Sequence, residues 1–329
     1  MDKYLELGVP VSNCYQFMAF PLAILSLHSQ SEDWIYSNFI QICFDLNLSP
    51  IPYYYYIYDY TISPWLDVQR LQKDILQANS INLLSFIENS LNINYYVYCF
   101  VDEYYIPNRI SYMKYHYFHD ILINGYDSQL KQFNIFGYDE KYILASTMVS
   151  YDAFQSAITY ENSNDPYLSQ IILYKFKSNG NYSFSMESFI EQLNEYLNGI
   201  NSSKRFGILR DPWDRVYGID SYHCLTKYLE KRLIDKNFID IRIFHFLYEH
   251  KKLMQQRIDY LLRNGLINDK RFLDDWSVLV TQAEMIRNKI LRSRIVGFTN
   301  EKLQVINKTL NNMYLDEKKT LSDLITLLS

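Results

Sequence analysis

Asn13-Cys14-Tyr15-Gln16-Phe17-Met18-Ala19-Phe20 and, far downstream, His119-Asp120-Ile121-Leu122-Ile123-Asn124-Gly125-Tyr126-Asp127 are the two stretches that decide how this chain is read. In the first, a cysteine opens a run from Cys14 to His28 that is apolar nearly all round, the pattern of a buried helix, with Ser12 or Asn13 available as its N-cap. A thiol in the first turn of such a helix lies where the partial positive charge of the N-terminus favours thiolate over thiol. In the second, a histidine heads an apolar strand that meets the turn signal Gly125-Tyr126-Asp127-Ser128, and a returning strand leads to Tyr138-Asp139. A strand holds a base rigidly. A carboxylate at Asp139 would then fix the imidazole tautomer as the third member of a triad, with Asn134 as the alternative for that role. Backbone N–H groups around Cys14, with the side chains of Asn13 or Ser12, are the candidate oxyanion donors.

Working outward, the spacing of apolar residues predicts helices over Trp34 to Asp45, Pro64 to Asn79 and Ser85 to Leu91, and strands over Ile51 to Tyr60 and Tyr95 to Val101. Tyr142 to Met148 and Ile171 to Phe176 read as later strands, with a helix from Tyr151 to Thr159 between them. The polar segment Lys177 to Tyr182 is the natural linker, because strand signals end there. Beyond it, Met186 to Leu197, Ser221 to Leu233, Ile241 to Arg263, Arg271 to Arg292 and Glu301 to Met313 carry helical periodicity, with Ser322 to Leu328 as a last turn or two. The expected architecture is α+β: a first domain over residues 1–178 and an all-α domain over 183–329.

With 329 residues, two domains can each bury a core of their own. A net charge of -5 and the lack of a basic stripe argue against a nucleic-acid partner. The first residues lack the basic segment and apolar core of a secretory signal, so a cytoplasmic location is expected, and no apolar run has the length to span a membrane. The 32 tyrosines read first as strand and core material.

Cys14, Cys43, Cys99 and Cys224 lie far apart with no CxxC pair, which gives neither a disulfide framework nor zinc-ligand spacing, and no metal site is expected. Taken alone, Cys14 reads as a small buried hydrophobe; the histidine hairpin promotes it. His116 competes with His119 but does not lead into the Gly-Tyr-Asp strand. His245, Glu249 and His250 read as a solvated helix face, as do Lys251, Lys252 and Arg257, although a basic face of this kind, or Arg287 to Arg294, could dock an acidic protein.

The order Asn13-Cys14-Tyr15, then His119-x-x-x-x-Asn-Gly-Tyr-Asp127, then a strand ending at Asp139, with Ser150-Tyr151-Asp152-Ala153-Phe154 following, resembles the papain-like C39-type peptidases. With the long helical half, it is similar more narrowly to the papain-like acyltransferases of natural-product biosynthesis, such as those of the butirosin and closthioamide pathways. That resemblance implies a papain-like fold and a transfer of an acyl group from the phosphopantetheine thioester of an acyl or peptidyl carrier protein to a small amine. Cys14 would be the nucleophile, His119 the base and later acid, and Asp139 the orienting residue. No cofactor of the protein's own is implied. The glutamine that such peptidases place before the cysteine is missing from Leu5 to Val11. Alternatives are a cysteine peptidase, amidase or thioesterase, and a catalytically silent papain-like binding protein.

Overall fold

Tyr96–Asp102 is an almost wholly buried strand inside the sheet of the first half, with side chains on both faces: Val97, Cys99 and Val101 enter one apolar core, while Tyr98 turns to the opposite face and meets Phe20 with ring centroids 6.0 Å apart. A computed structural model describes residues 2–57, 59, 61–159 and 168–329. In chain order its elements are β1 (Lys3–Tyr4), α1 (Gln16–Leu25), α2 (Glu32–Ser37), β2 (Ile42–Phe44), β3 (Tyr53–Tyr55), β4 (Leu66–Gln72), α3 (Lys73–Ala78), α4 (Leu83–Asn92) and β5 (Tyr96–Asp102). There follow β6 (Phe118–Asp127), β7 (Gln132–Tyr138), β8 (Leu144–Ser150), α5 (Tyr151–Thr159), β9 (Gln170–Phe176) and α6 (Met186–Leu197). The remainder comprises β10 (Val216–Tyr217), α7 (Ser221–Asp235), α8 (Ile241–Arg263), α9 (Arg271–Val296) and α10 (Asn300–Leu328).

The chain divides into two compact units, Met1–Ser31 with Tyr60–Tyr182, and Glu32–Asp59 with Ser183–Ser329. Residues 32–59, read from the sequence as part of the first domain, thus belong with the helical unit. In the first unit the described residues form a seven-stranded antiparallel sheet in the order β4-β9-β5-β6-β7-β8, with β1 pairing the far end of β6. α1 packs against β6 and β9, and α4 and α5 against β5.

Several local expectations change. Residues 66–72 are a strand rather than helix, because they pair residue for residue with β9, from Leu66 opposite Phe176 to Gln72 opposite Gln170. Residues 42–44, also expected to be helical, pair as a strand with Tyr53–Tyr55. Of the strand expected over 51–60, Tyr58 and Tyr60 lie outside the described residues. Gly125 does not turn the chain; it continues β6 opposite Asn134, and the reversal comes after Asp127. Its missing side chain serves close approach instead, since a Cβ there would lie 2.8 Å from the carbonyl oxygen of Lys3 in β1. The last two helical segments fuse into the single helix α10.

In the second unit, helices occupy the segments from Met186 onward that carry helical spacing, but several polar residues expected on solvated faces lie inside. Glu249, His250, Lys251 and Arg257 of α8 are all buried. Lys251 Nζ donates to Glu317 Oε1 of α10 at 2.6 Å and to the Tyr196 hydroxyl at 2.9 Å, while Glu317 Oε2 accepts from the Tyr222 hydroxyl at 2.6 Å. Arg257 donates to the carbonyls of Tyr36 at 2.7 Å and Asn38 at 2.6 Å. Burial lowers the proton affinity of Lys251, and the Glu317 carboxylate pulls it back up. Among the described residues, no helix is long and apolar enough to cross a membrane.

Breaking such a buried pair from one side leaves an uncompensated charge, so Lys251→Met should lower stability by about 3–5 kcal/mol in urea unfolding. The double variant Lys251→Met with Glu317→Leu should recover much of that loss; a double variant as unstable as the sum of the single ones would contradict the charge argument.

Candidate active site

Tyr15 has extended backbone angles and no side-chain cap, so α1 starts at Gln16, and Cys14 precedes the first turn instead of lying within it. Neither Ser12 nor Asn13 occupies the N-cap position. Every residue of α1 except Phe17 is buried, and Pro21 lacks the N–H that would otherwise reach back along the helix. Within this apolar helix the single polar side chain of the first turn is Gln16, itself 4% exposed. A buried carboxamide must find partners on both sides. The Gln16 Nε2 donates to the carbonyl of Asp120 at 2.6 Å and to Asp120 Oδ1 at 3.0 Å, and its Oε1 accepts from the backbone N–H of Tyr138. These bonds join α1 to β6 and β7 and fix which end of the amide is which.

The same carboxamide nitrogen lies 3.2 Å from Nδ1 of His119. His119 is the second residue of β6 and faces Val101 of β5. From there the chain runs through Asp102 into a short 3-10 turn, Glu103–Tyr105, and Glu103 Oε1 comes 3.1 Å from His119 Nδ1. Because both hydrogens of Gln16 Nε2 go to Asp120, the hydrogen on Nδ1 belongs to the Glu103 contact. That leaves Nε2 of His119 as the basic nitrogen, 3.6 Å from Asp120 Oδ1. The other Glu103 oxygen accepts from Ser111 Oγ at 3.2 Å.

Glu103, not Asp139, therefore holds the imidazole. Asp139 Oδ1 accepts from the backbone N–H groups of Lys141 and Ile143, each at 2.8 Å, and shapes the β7–β8 turn. Asn134 donates to Asn124 Oδ1 at 2.8 Å inside the sheet, and Asn124 in turn donates to the Leu5 carbonyl. The Tyr138 hydroxyl donates to the carbonyl of Asn13, which ties the segment bearing Cys14 to β7. His116 has its own carboxylate, Asp102 Oδ2 at 2.5 Å, and stacks on Tyr104.

Glu103 was missed because nothing local marks it. Only the β5–β6 register, with Asp102 opposite Phe118, brings it to the histidine. Gln16 carried a signal that could have been used: one amide in a run of apolar residues must bond something buried.

Burial alone would lower the proton affinity of His119, but the hydrogen bond to Glu103 and the charges of Asp120 and Glu103 outweigh it, and the imidazole is raised above its ordinary 6.5. The other thiols are unsuited to ionise: burial pushes Cys43 and Cys99 up to about 12 and raises Cys224 as well. No group of three or more His, Cys, Asp or Glu side chains among the described residues is arranged to hold a metal ion. No protein-family model matches this sequence, and no curated protein sequence matches it.

A raised histidine stabilises the folded state fully below its unfolded value near 6.5, and that contribution is lost as the pH climbs through the folded value. In NMR titration of the imidazole C–H resonances, His119 should keep its proton above pH 6.5 in the wild type. Glu103→Gln should lower the midpoint, whereas Asp139→Asn should move it less. Equal shifts in the two variants would contradict the assignment of Glu103.

Proposed function

We propose that this protein is a papain-like, cysteine-dependent acyltransferase in which Cys14 takes an acyl group from a carrier-protein thioester and passes it to a primary amine. The observation that carries the reading is the His119–Glu103 pair, 3.1 Å apart, on a strand that Gln16 ties through Asp120 to the helix whose first residue follows Cys14 by two. A nucleophile, a base and a group that orients the base are the parts an acyl-enzyme mechanism needs. Support for the wider reading comes from the motif order Cys14, His119 and Asn124-Gly125-Tyr126-Asp127, and from the helical second half. In this scheme Glu103 takes the orienting role expected of Asp139, and the setting is the cytoplasm.

In the first half-reaction the Cys14 thiol gives its proton to His119 Nε2, and the sulfur attacks the thioester carbonyl carbon. The carbon–sulfur bond to the carrier's phosphopantetheine breaks, and the departing thiolate takes the proton from Nε2. An amine then attacks the Cys14 acyl group and gives its proton to Nε2. The amide leaves as the Cys14 sulfur recovers that proton. Thioester and amine become amide and thiol, with no cofactor of the protein's own; the phosphopantetheine belongs to the partner.

One observation favours a second reading. The His119 side chain is 32% exposed, enough for water to compete with an amine, as a cysteine amidase or thioesterase would require.

Intact-protein mass spectrometry after mixing with acyl-loaded carrier protein or an N-acetylcysteamine thioester separates these readings. Wild type should gain the acyl mass and Cys14→Ala should not; His119→Ala should acylate about 10²–10⁴-fold more slowly. An adduct that hydrolyses equally fast with and without amine would replace transfer by hydrolysis. A wild type that forms no adduct would leave a catalytically silent binding protein.

A further inference from the structure

We propose that Arg109 is the positioning residue of this site, a buried guanidinium that acts through Glu103 and Tyr138 to hold His119 in a state that can both take up and release a proton. The inference rests on the acyltransferase reading for its purpose, but its geometry stands apart from it. Arg109 lies in the connection between β5 and β6 and is 1% exposed. Its Nη1 donates to the carbonyl of Tyr138, the residue whose N–H is held by Gln16, so both backbone groups of Tyr138 are fixed by side chains of the site. Its Nε is 3.9 Å from Glu103 Oε1, the oxygen that contacts His119.

Arginine is expensive to bury, and this one is not fully satisfied in hydrogen bonds: Nε and Nη2 find no hydrogen-bond partner among the described residues. What offsets the cost is charge. Glu103, Asp139 and Asp120 all act on it, and two of these three carboxylates also act on His119. Unopposed by a cation, Glu103 and Asp120 would bind the imidazolium proton too firmly for its return to a leaving group. Arg109 is the charge that opposes them, and it lowers the proton affinity of His119. Gly137 makes room for the arrangement. A Cβ there would meet Gln16 Oε1 at 2.8 Å and Arg109 Nη2 at 3.0 Å, so the two side chains can converge only on a residue without one.

The test uses the whole 329-residue chain, with acetyl N-acetylcysteamine thioester as the acyl donor, in Arg109→Met, Arg109→Lys and Gly137→Ala. In Arg109→Met the His119 NMR midpoint should shift upward, as expected for losing a cation that acts on the same carboxylates. The pH midpoint of Cys14 acylation should move with it. Arg109→Lys should restore both midpoints toward wild type, because the charge returns even though the fork does not. Gly137→Ala, which keeps every charge but crowds both Gln16 Oε1 and Arg109 Nη2, should shift the His119 midpoint upward in part, and together with Arg109→Lys, which leaves Gln16 untouched, it supplies the measurement if Arg109→Met does not fold. Midpoints that stay at the wild-type value in the variants that fold, with only melting temperature lowered, would overturn the inference. If wild type is not acylated at any pH, the acyltransferase reading fails, while the His119 titration still decides the role of Arg109.

Discussion

The Gln16 carboxamide is the joint on which the candidate site depends. It is buried, it opens a helix with no side-chain cap, and it spends both hydrogens and an acceptor lone pair on the backbone of β6 and β7 and the carboxylate of Asp120. A hydrogen-bonding group removed from water costs about 1–3 kcal/mol when left unmade, so the helix has one favourable register against the sheet. That register sets the N-terminal end of α1, two residues after Cys14, against the end of β6 that carries His119 and Asp120. The tether also occupies the amide, so Gln16 holds the site together and has no hydrogen left to offer a substrate oxyanion.

Around this joint the electrostatics are arranged in opposition. Glu103 and Asp120 raise the proton affinity of His119, burial and Arg109 lower it, and the carboxylates prevail by a margin that the cation restrains. An imidazole held in this way serves both halves of a proton relay better than one driven fully to either form. The parallel pair formed by His116 and Asp102 lacks that arrangement: its imidazole is 42% exposed, and its carboxylate also accepts from the N–H groups of Tyr104 and Tyr117, which shape the turn.

The helical unit shows a different use of buried charge. Lys251 and Glu317 connect α8 to α10 while Tyr196 and Tyr222, from α6 and α7, complete their hydrogen bonding. A satisfied network of this kind specifies which helices meet and in what register, even where an apolar substitute would be as stable.

The sequence by itself determined much that depends on local periodicity. The buried helix after Cys14, the β5 strand, the histidine strand and its partner, and the helices from Met186 onward are each visible in the spacing of apolar residues, because one face of each must leave water. Cys14, just ahead of the buried helix, and His119, near the head of its strand, stand out for the same reason, each beside a pattern that is clear. Tertiary structure alone decided the rest. Residues 66–72 are a strand because they pair with the distant β9, and residues 42–44 because they pair with the nearby β3 on one side and the distant β10 on the other, which overrides the helical spacing of their side chains. Glu103 reaches His119 only through the β5–β6 register, and Arg109 comes from a connection with no periodicity at all. Asp139, which looked from its position like the orienting carboxylate, satisfies its own turn instead. The identity of a histidine's partner is a matter of a few ångströms across a sheet, and no spacing along the chain encodes that distance.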